Sequence, residues 1–241
     1  MGVADRGWRG LARTSAGVAI AAISGGAANA AGFGVYEFNA EAIGSAYATA
    51  TATRASDYMF YNPAAIGGLD KVEACATFTA ILPNSGTRVD PSTTVFATPI
   101  GGEQVVGGAV SEAFVPALSF AAPITDDFAV GLAVHAPWGL QTEYPRDWAG
   151  RYYAVHTELM TLNINPVAAY NVTDDVTVAV GLQAQYAEGR LSNAVDFGSI
   201  GAFFSVPGAV PATQDGFADF EASDWSFGFT AGLMADLAEG L

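Results

Sequence analysis

A chain of 241 residues that is 51% hydrophobic and only 14% charged is poorer in charge than a soluble domain, where about 25% of residues are charged. Its net charge of -15, from 9 basic and 24 acidic residues, excludes the basic footprint of a nucleic-acid binder. The single cysteine, Cys75, excludes an intrachain disulfide, and no run of roughly 18 apolar residues offers a helical membrane span.

The N-terminus reads as an export signal. Arg6, Arg9 and Arg13 form a basic start, "SAGVAIAAISGG" is a short apolar core, and Ala28-Asn29-Ala30 fits an A-x-A cleavage pattern, so residues 1–30 are expected to be a signal peptide. Residues 31–71 carry no alternation. Asn39 is positioned to cap a short helix through Ala42, Ile43 and Tyr47. Asn62 is positioned to cap a second, with Pro63 at its first position and Gly67 at its end. The aromatic run Tyr58–Tyr61 leads directly into that proline, which bars the segment from a central strand.

From Val72 onward the dominant signal is a period of two. Bulky residues share one face and small or polar residues the other in 72–82, 114–124, 128–136, 160–170, 176–186 and 225–235. In 128–136, for example, Phe128, Val130, Leu132 and Val134 oppose Ala129, Gly131, Ala133 and His135. The connections alternate in length. Thr125-Asp126-Asp127 and Thr173-Asp174-Asp175 are the same tight turn used twice. The stretches 83–113, 137–152 and 190–223 are long.

Short turns at one end and long loops at the other are the pattern of an antiparallel transmembrane β-barrel. Tyr170, Tyr186 and Trp225, near strand ends, suit an interfacial girdle. A secreted β-sandwich also alternates, but its outer face would be charged. Here the second face is small and nearly uncharged, as a barrel lumen packed by a plug requires. The expected fold is therefore all-β, with residues 31–71 as a partly helical hatch inside a barrel formed by 72–241. Closed barrels of this class have at least about eight strands, so about six imply the N-terminal part of a longer chain.

Enzyme chemistry finds no support. There is no G-x-S-x-G elbow, H-E-x-x-H pair or Walker loop, and His135 and His156 are the only histidines. No catalytic residue, metal site or cofactor is expected.

"AGFGVYEFNAEAIGSAYATATA" directly after the signal, the later "NPA", and then "VPALSFAAPITDDFAVGLAV", "WGLQTEY" and "DWSFGFTAGL" resemble the FadL/TodX family of outer-membrane transporters for hydrophobic compounds. The resemblance spans nearly all of the chain after residue 30. It implies a monomeric 14-stranded barrel in the outer membrane of a Gram-negative bacterium. A hydrophobic solute, foremost a long-chain fatty acid, would land among outer loops, enter a pocket and leave sideways into outer-membrane lipid through a gap at the third strand. Carried onto this chain, the resemblance makes Phe33 part of the hatch terminus near the pocket, Asn62, Pro63 and Ala64 the hatch motif, 128–136 the gapped strand, and 191–222 the landing loop with Phe203 and Phe204. The family's basic residue near the substrate carboxylate falls at Glu188, with Arg190 two positions on and of the same parity. Toluene-like aromatics are the alternative substrate, and a non-transporting structural or adhesin barrel the alternative function.

Overall fold

The computed structural model describes residues 34–50 and 52–236; the expected signal peptide and Phe33 lie outside the described residues. Among the described residues there are eleven strands: β1 (Glu73–Ile81), β2 (Gly86–Arg88), β3 (Thr94–Val95), β4 (Thr98–Pro99), β5 (Val105–Gly107), β6 (Ala113–Pro123), β7 (Phe128–His135), β8 (Gly139–Glu143), β9 (His156–Thr173), β10 (Val176–Asp196) and β11 (Asp215–Ala235). Six form an antiparallel wall in the order β1-β6-β7-β9-β10-β11, and β8 joins it beside β9. The pairs β2–β5 and β3–β4 are small ribbons within the first long loop. No helix among the described residues is long and apolar enough to cross a membrane.

The six alternating segments are the six wall strands, but three of them run further than expected. β10 and β11 stay paired from Val176↔Ala235 to Asp196↔Asp215. The loop proper is therefore 197–214, shorter than the 191–222 expected, and Phe217 and Phe220 belong to β11. Past Tyr186 and Trp225, whose rings lie 5.4 Å apart, charged residues such as Glu188, Arg190 and Asp219 enter the outer face. The hydrophobic alternation ends there while backbone pairing continues.

The outer face carries an apolar band. Phe227 and Phe229 are 81% and 80% exposed. Tyr170 stands opposite Val178 near the tight turns. From that level to Tyr186 the strand covers about 26 Å at 3.3 Å per residue, or about 20 Å of height at the usual tilt, close to the apolar band of outer-membrane barrels.

The inner face is covered by residues 34–72. Helix α1 (Ala40–Gly44) is capped by Asn39, whose side chain accepts from the Ala42 amide at 2.8 Å. It stops short of Tyr47, because Ala46 and Tyr47 take positive φ. Two 3-10 turns follow, Ser56–Tyr58 and Pro63–Ile66. Asn62 caps the second by accepting from the Ala64 amide at 3.0 Å. Tyr58, Met59, Ala64, Ala65 and Ile66 form the main core with Ala121, Ala133, Val167 and Ala169 of the wall.

The small inner-face residues make this approach possible. A Cβ on Gly131 would lie 2.9 Å from Met59 Cε and 3.0 Å from Ile66 Cδ1, and one on Gly232 would strike Asn62 and Pro63. Polar bonds fasten the base of the hatch at the turn end. Arg54 Nη1 donates to Gly67 O and Thr177 Oγ1, both at 2.9 Å. Its Nη2 pairs with Asp236 at 3.0 Å, and Asn62 Nδ2 donates to Leu233 O at 3.1 Å.

Candidate functional site

The third wall strand is broken. β6 pairs with β7 only between Pro123↔Ala129 and Ala117↔His135. His135 faces Asn163 on β9, yet Gly139, where β8 begins, faces Met160. Three residues, Ala136-Pro137-Trp138, thus stand against two, Thr161 and Leu162, which is the count of a β-bulge. Pro137 contributes to the break because it has no N–H for the ladder.

A side chain closes the bulge in place of backbone. The Trp138 amide donates to Thr161 Oγ1 at 2.9 Å, and the Thr161 hydroxyl donates to Trp138 O at 2.6 Å. β8 is thereby held to β9, and the loop-ward half of β6, Ala113–Pro116, keeps only β1 as a strand partner. The opening between β6 and β8 is closed at its loop end by the Val110–Thr142 bridge and by the Ser111 amide donating to Gln141 O at 2.9 Å. A cavity of about 220 Å³ occupies it, lined by Val35, Val115, Ala136, Trp138, Leu140 and Met160 among others. That is below the roughly 300–1,000 Å³ of ligand pockets.

The start of the hatch fills the break. Gly34 bridges Trp138, and the Val35 amide donates to Pro137 O at 2.9 Å. Val35 is buried with Phe38, Val115 and Ala117. The arm is held behind by Tyr61 OH donating to Tyr36 O at 2.9 Å and Thr79 Oγ1 donating to Glu37 O at 2.8 Å. His135 closes β7 with its ring edge-on to Phe38 and Phe60, centroids 4.6 and 5.1 Å away. Its Nδ1 finds no hydrogen-bond partner among the described residues.

A second apolar feature lies in the outer loop 197–214. Helix α2 (Phe197–Phe203) is capped by Asp196, which accepts from the Ser199 amide at 2.8 Å and the Ala212 amide at 2.9 Å. Burial works to raise the Asp196 carboxyl, but the Ser199 and Ala212 donors outweigh it and hold it below the ordinary carboxylate range. Phe203 and Phe204 meet edge to face at 5.2 Å, and each is 71% exposed.

The residues singled out from sequence do not converge on one point. Phe203 and Phe204 touch each other on the outer loop, while Asn62, Pro63 and Ala64 sit in the hatch base against β11. Arg190 is on the outer face beyond the Tyr186–Trp225 pair, with Nε and Nη2 bonded to Asp219 at 3.1 and 2.6 Å. Glu188 accepts from Tyr186 OH at 2.8 Å. Val35, Val115, Trp138 and Thr161, which build the gap, were not singled out. The one available signal was Pro137 directly after an alternating run.

Residues 20–240 match the family described as outer membrane protein transport protein (OMPP1/FadL/TodX). The chain is 31% identical over 235 residues to the long-chain fatty acid transport protein of Escherichia coli O6:H1 (strain CFT073), across 91% of this chain and 50% of that one. Among solved structures it is similar to a Pseudomonas aeruginosa FadL homologue, with a TM-score of 0.67 and 22% identity over 86% of this chain and 50% of that one. It is also similar to CymD, a monoaromatic hydrocarbon channel, with a TM-score of 0.54 and 18% identity over 82% of this chain and 49% of that one. These two likenesses give the seven-stranded sheet its architecture, part of a β-barrel wall. The chain spans about half the length of the curated relatives it matches.

Proposed function

Because the chain belongs to the OMPP1/FadL/TodX family, β-barrel proteins of the Gram-negative outer membrane, we propose that it supplies the hatch and gapped wall of a passive route for a hydrophobic solute. The observation that carries this reading is the break at Ala136–Trp138 with the Gly34–Val35 arm seated in it. The solute would gather on the exposed Phe203–Phe204 patch, pass inward, displace the arm and leave through the wall into lipid. Partition into lipid and the concentration gradient drive it, so no nucleotide site is needed.

The energetics suit such a gate. Exposing Val35 costs about 1.5–3 kcal/mol, and its hydrogen bond to Pro137 is worth about 1 kcal/mol. A solute that buries even five methylenes gains about 4 kcal/mol at 0.8 each. Arm and acyl chain are therefore matched competitors for one slot.

A long-chain fatty acid is the preferred solute, as the name of the Escherichia coli relative suggests. One observation favours an uncharged aromatic instead: Arg190, the basic side chain nearest the expected carboxylate position, is already bonded by Asp219. The experiment is uptake of a labelled long-chain fatty acid and of labelled toluene by cells carrying or lacking the gene. Faster fatty-acid uptake in carriers supports the first reading, and faster toluene uptake alone supports the second. Equal uptake of both in the two cell types refutes transport.

A further inference from the structure

We propose that Arg151 is a positioning residue for uptake, the clamp that binds the outer loops into one body and fixes the loop bearing Phe203 and Phe204; the consequence for uptake rests on the transport reading above. Arg151 lies in the loop between β8 and β9 and is only 6% exposed. Its guanidinium reaches four stretches of chain. Nε donates to Asp215 Oδ2 at 2.6 Å, at the start of β11. Nη1 donates to Gly101 O at 2.8 Å, in the loop before β5, and to Trp148 O at 3.3 Å. Nη2 donates to Tyr152 OH at 2.9 Å and to Ala212 O at 3.3 Å, the latter in the 197–214 loop. Tyr152 OH in turn donates to Asp215 Oδ1 at 2.8 Å. Burial, and then that bond to Asp215, push the Tyr152 phenol up to about 12, so it remains a donor at physiological pH.

Burying a guanidinium is unfavourable unless its donors are met. All three nitrogens are met here, and three of the partners, Gly101, Ala212 and Asp215, lie 50, 61 and 64 residues away along the chain. Only the planar fork of arginine spans them; the ammonium of lysine is a compact point charge.

The same body extends to the gap. Gly102 takes φ +112° and lies so close to Asp147 O that a side chain could not fit. Beside it the Glu103 amide donates to Asp147 O at 3.2 Å and the Ala149 amide to Glu103 O at 2.8 Å. Trp148 stacks on Tyr144 at 4.0 Å and packs with Val106 and Ala109. The Glu143 amide then donates to Ala109 O at 2.8 Å, next to the Val110–Thr142 bridge that closes the gap. Landing patch and gap rim are thus joined through the loops around Arg151.

The test uses the full-length protein in its native outer membrane, as wild type, Arg151→Met, Arg151→Lys and the milder Tyr152→Phe. Folded barrel is quantified by its resistance to unfolding in detergent. Protease cleavage within 197–214 on whole cells reads the clamp, and the concentration dependence of fatty-acid uptake reads its consequence. Losing charged hydrogen bonds should raise loop cleavage about tenfold or more in Arg151→Met. The half-saturating concentration should rise about as much, with maximal uptake per folded barrel kept within about twofold. Arg151→Lys should fail to restore either value, and Tyr152→Phe should show the same changes to a smaller degree. Wild-type cleavage in both Arg151→Met and Tyr152→Phe overturns the clamp. A fall in maximal rate at unchanged half-saturation overturns its positioning role. Wild-type uptake no faster than in cells lacking the gene refutes the transport reading instead, and the cleavage measurement still decides whether Arg151 clamps the loops.

Discussion

Replacing Thr161 with valine preserves the shape of a side chain that is only 4% exposed and removes the hydroxyl holding both backbone polar groups of Trp138. Each group left without a partner costs about 1–3 kcal/mol. Trp138 is half-buried, so water meets part of that need, and a net loss of about 2–4 kcal/mol is expected. The loss falls locally, on the bulge and on the arm that hangs from Pro137 and Trp138. Since each 1.4 kcal/mol is tenfold, amide exchange at Val35 and Trp138 should accelerate by about 30- to 1,000-fold, while exchange at Val167 and Ala169 in the paired part of β9 stays unchanged. Hydrogen exchange with mass spectrometry on the purified barrel measures this. Thr161→Ser, which keeps the hydroxyl, should behave as wild type. Equal exchange at Val35 in wild type and Thr161→Val, or equal acceleration in Thr161→Ser and Thr161→Val, would refute the assignment of the hydroxyl as the closing element.

Gly131→Ala should lower thermal stability by about 1–3 kcal/mol through overpacking, because the new Cβ would also lie 3.1 Å from Phe120 O, a backbone atom that cannot rotate away; calorimetry on the purified barrel checks it. Asn62→Ala removes a cap worth about 1 kcal/mol together with the bond to Leu233 O, and should increase protease access to residues 56–66. The Asp196 carboxyl is depressed in the folded state, so its support of the outer loop is complete above the unfolded value of about 3.9 and is lost as pH falls through the lower folded value. Exchange protection of 197–214 should hold from pH 7 to about 4 and fail below that; loss already between about pH 7 and 5 contradicts this. Phe203→Ser with Phe204→Ser should slow uptake at low solute concentration but not at saturation, as measured by initial rates in cells.

Legibility in the sequence followed the solvent on each side of the wall. Where lipid meets one face and the hatch the other, Phe128, Val130 and Leu132 contrast with Ala129, Gly131 and Ala133, and the strand is evident. Beyond Tyr186 the outer face of β10 carries Glu188, Arg190 and Ser192 in place of apolar residues, so the periodic contrast is lost and the strand's last, loop-ward residues read as loop. β8 escaped because the bulge at Ala136–Trp138 reverses the parity of Gly139–Glu143 relative to β7. The caps at Asn39 and Asn62 were readable because a cap acts on amides two or three residues away. The closing contacts were not: Thr161 reaches back to Trp138, and Val35 reaches forward to Pro137 across most of the hatch and three wall strands. Arg151 looked like any loop arginine, since burial is decided by partners as distant as Gly101 and Asp215.

The hatch is fastened unequally at its two ends. Arg54 ties its base to Thr177 and Asp236 beside the tight turns, whereas the arm at Gly34–Val35 is held at the gap by the Trp138 bridge, the bond to Pro137 O and the packing of Val35, with no ion pair among the described residues. On the route proposed above, withdrawal of the arm alone would open a side door and leave the floor in place. If that route operates, an envelope built with such proteins would admit oily molecules one at a time and keep its permeability barrier against ions and polar antibiotics.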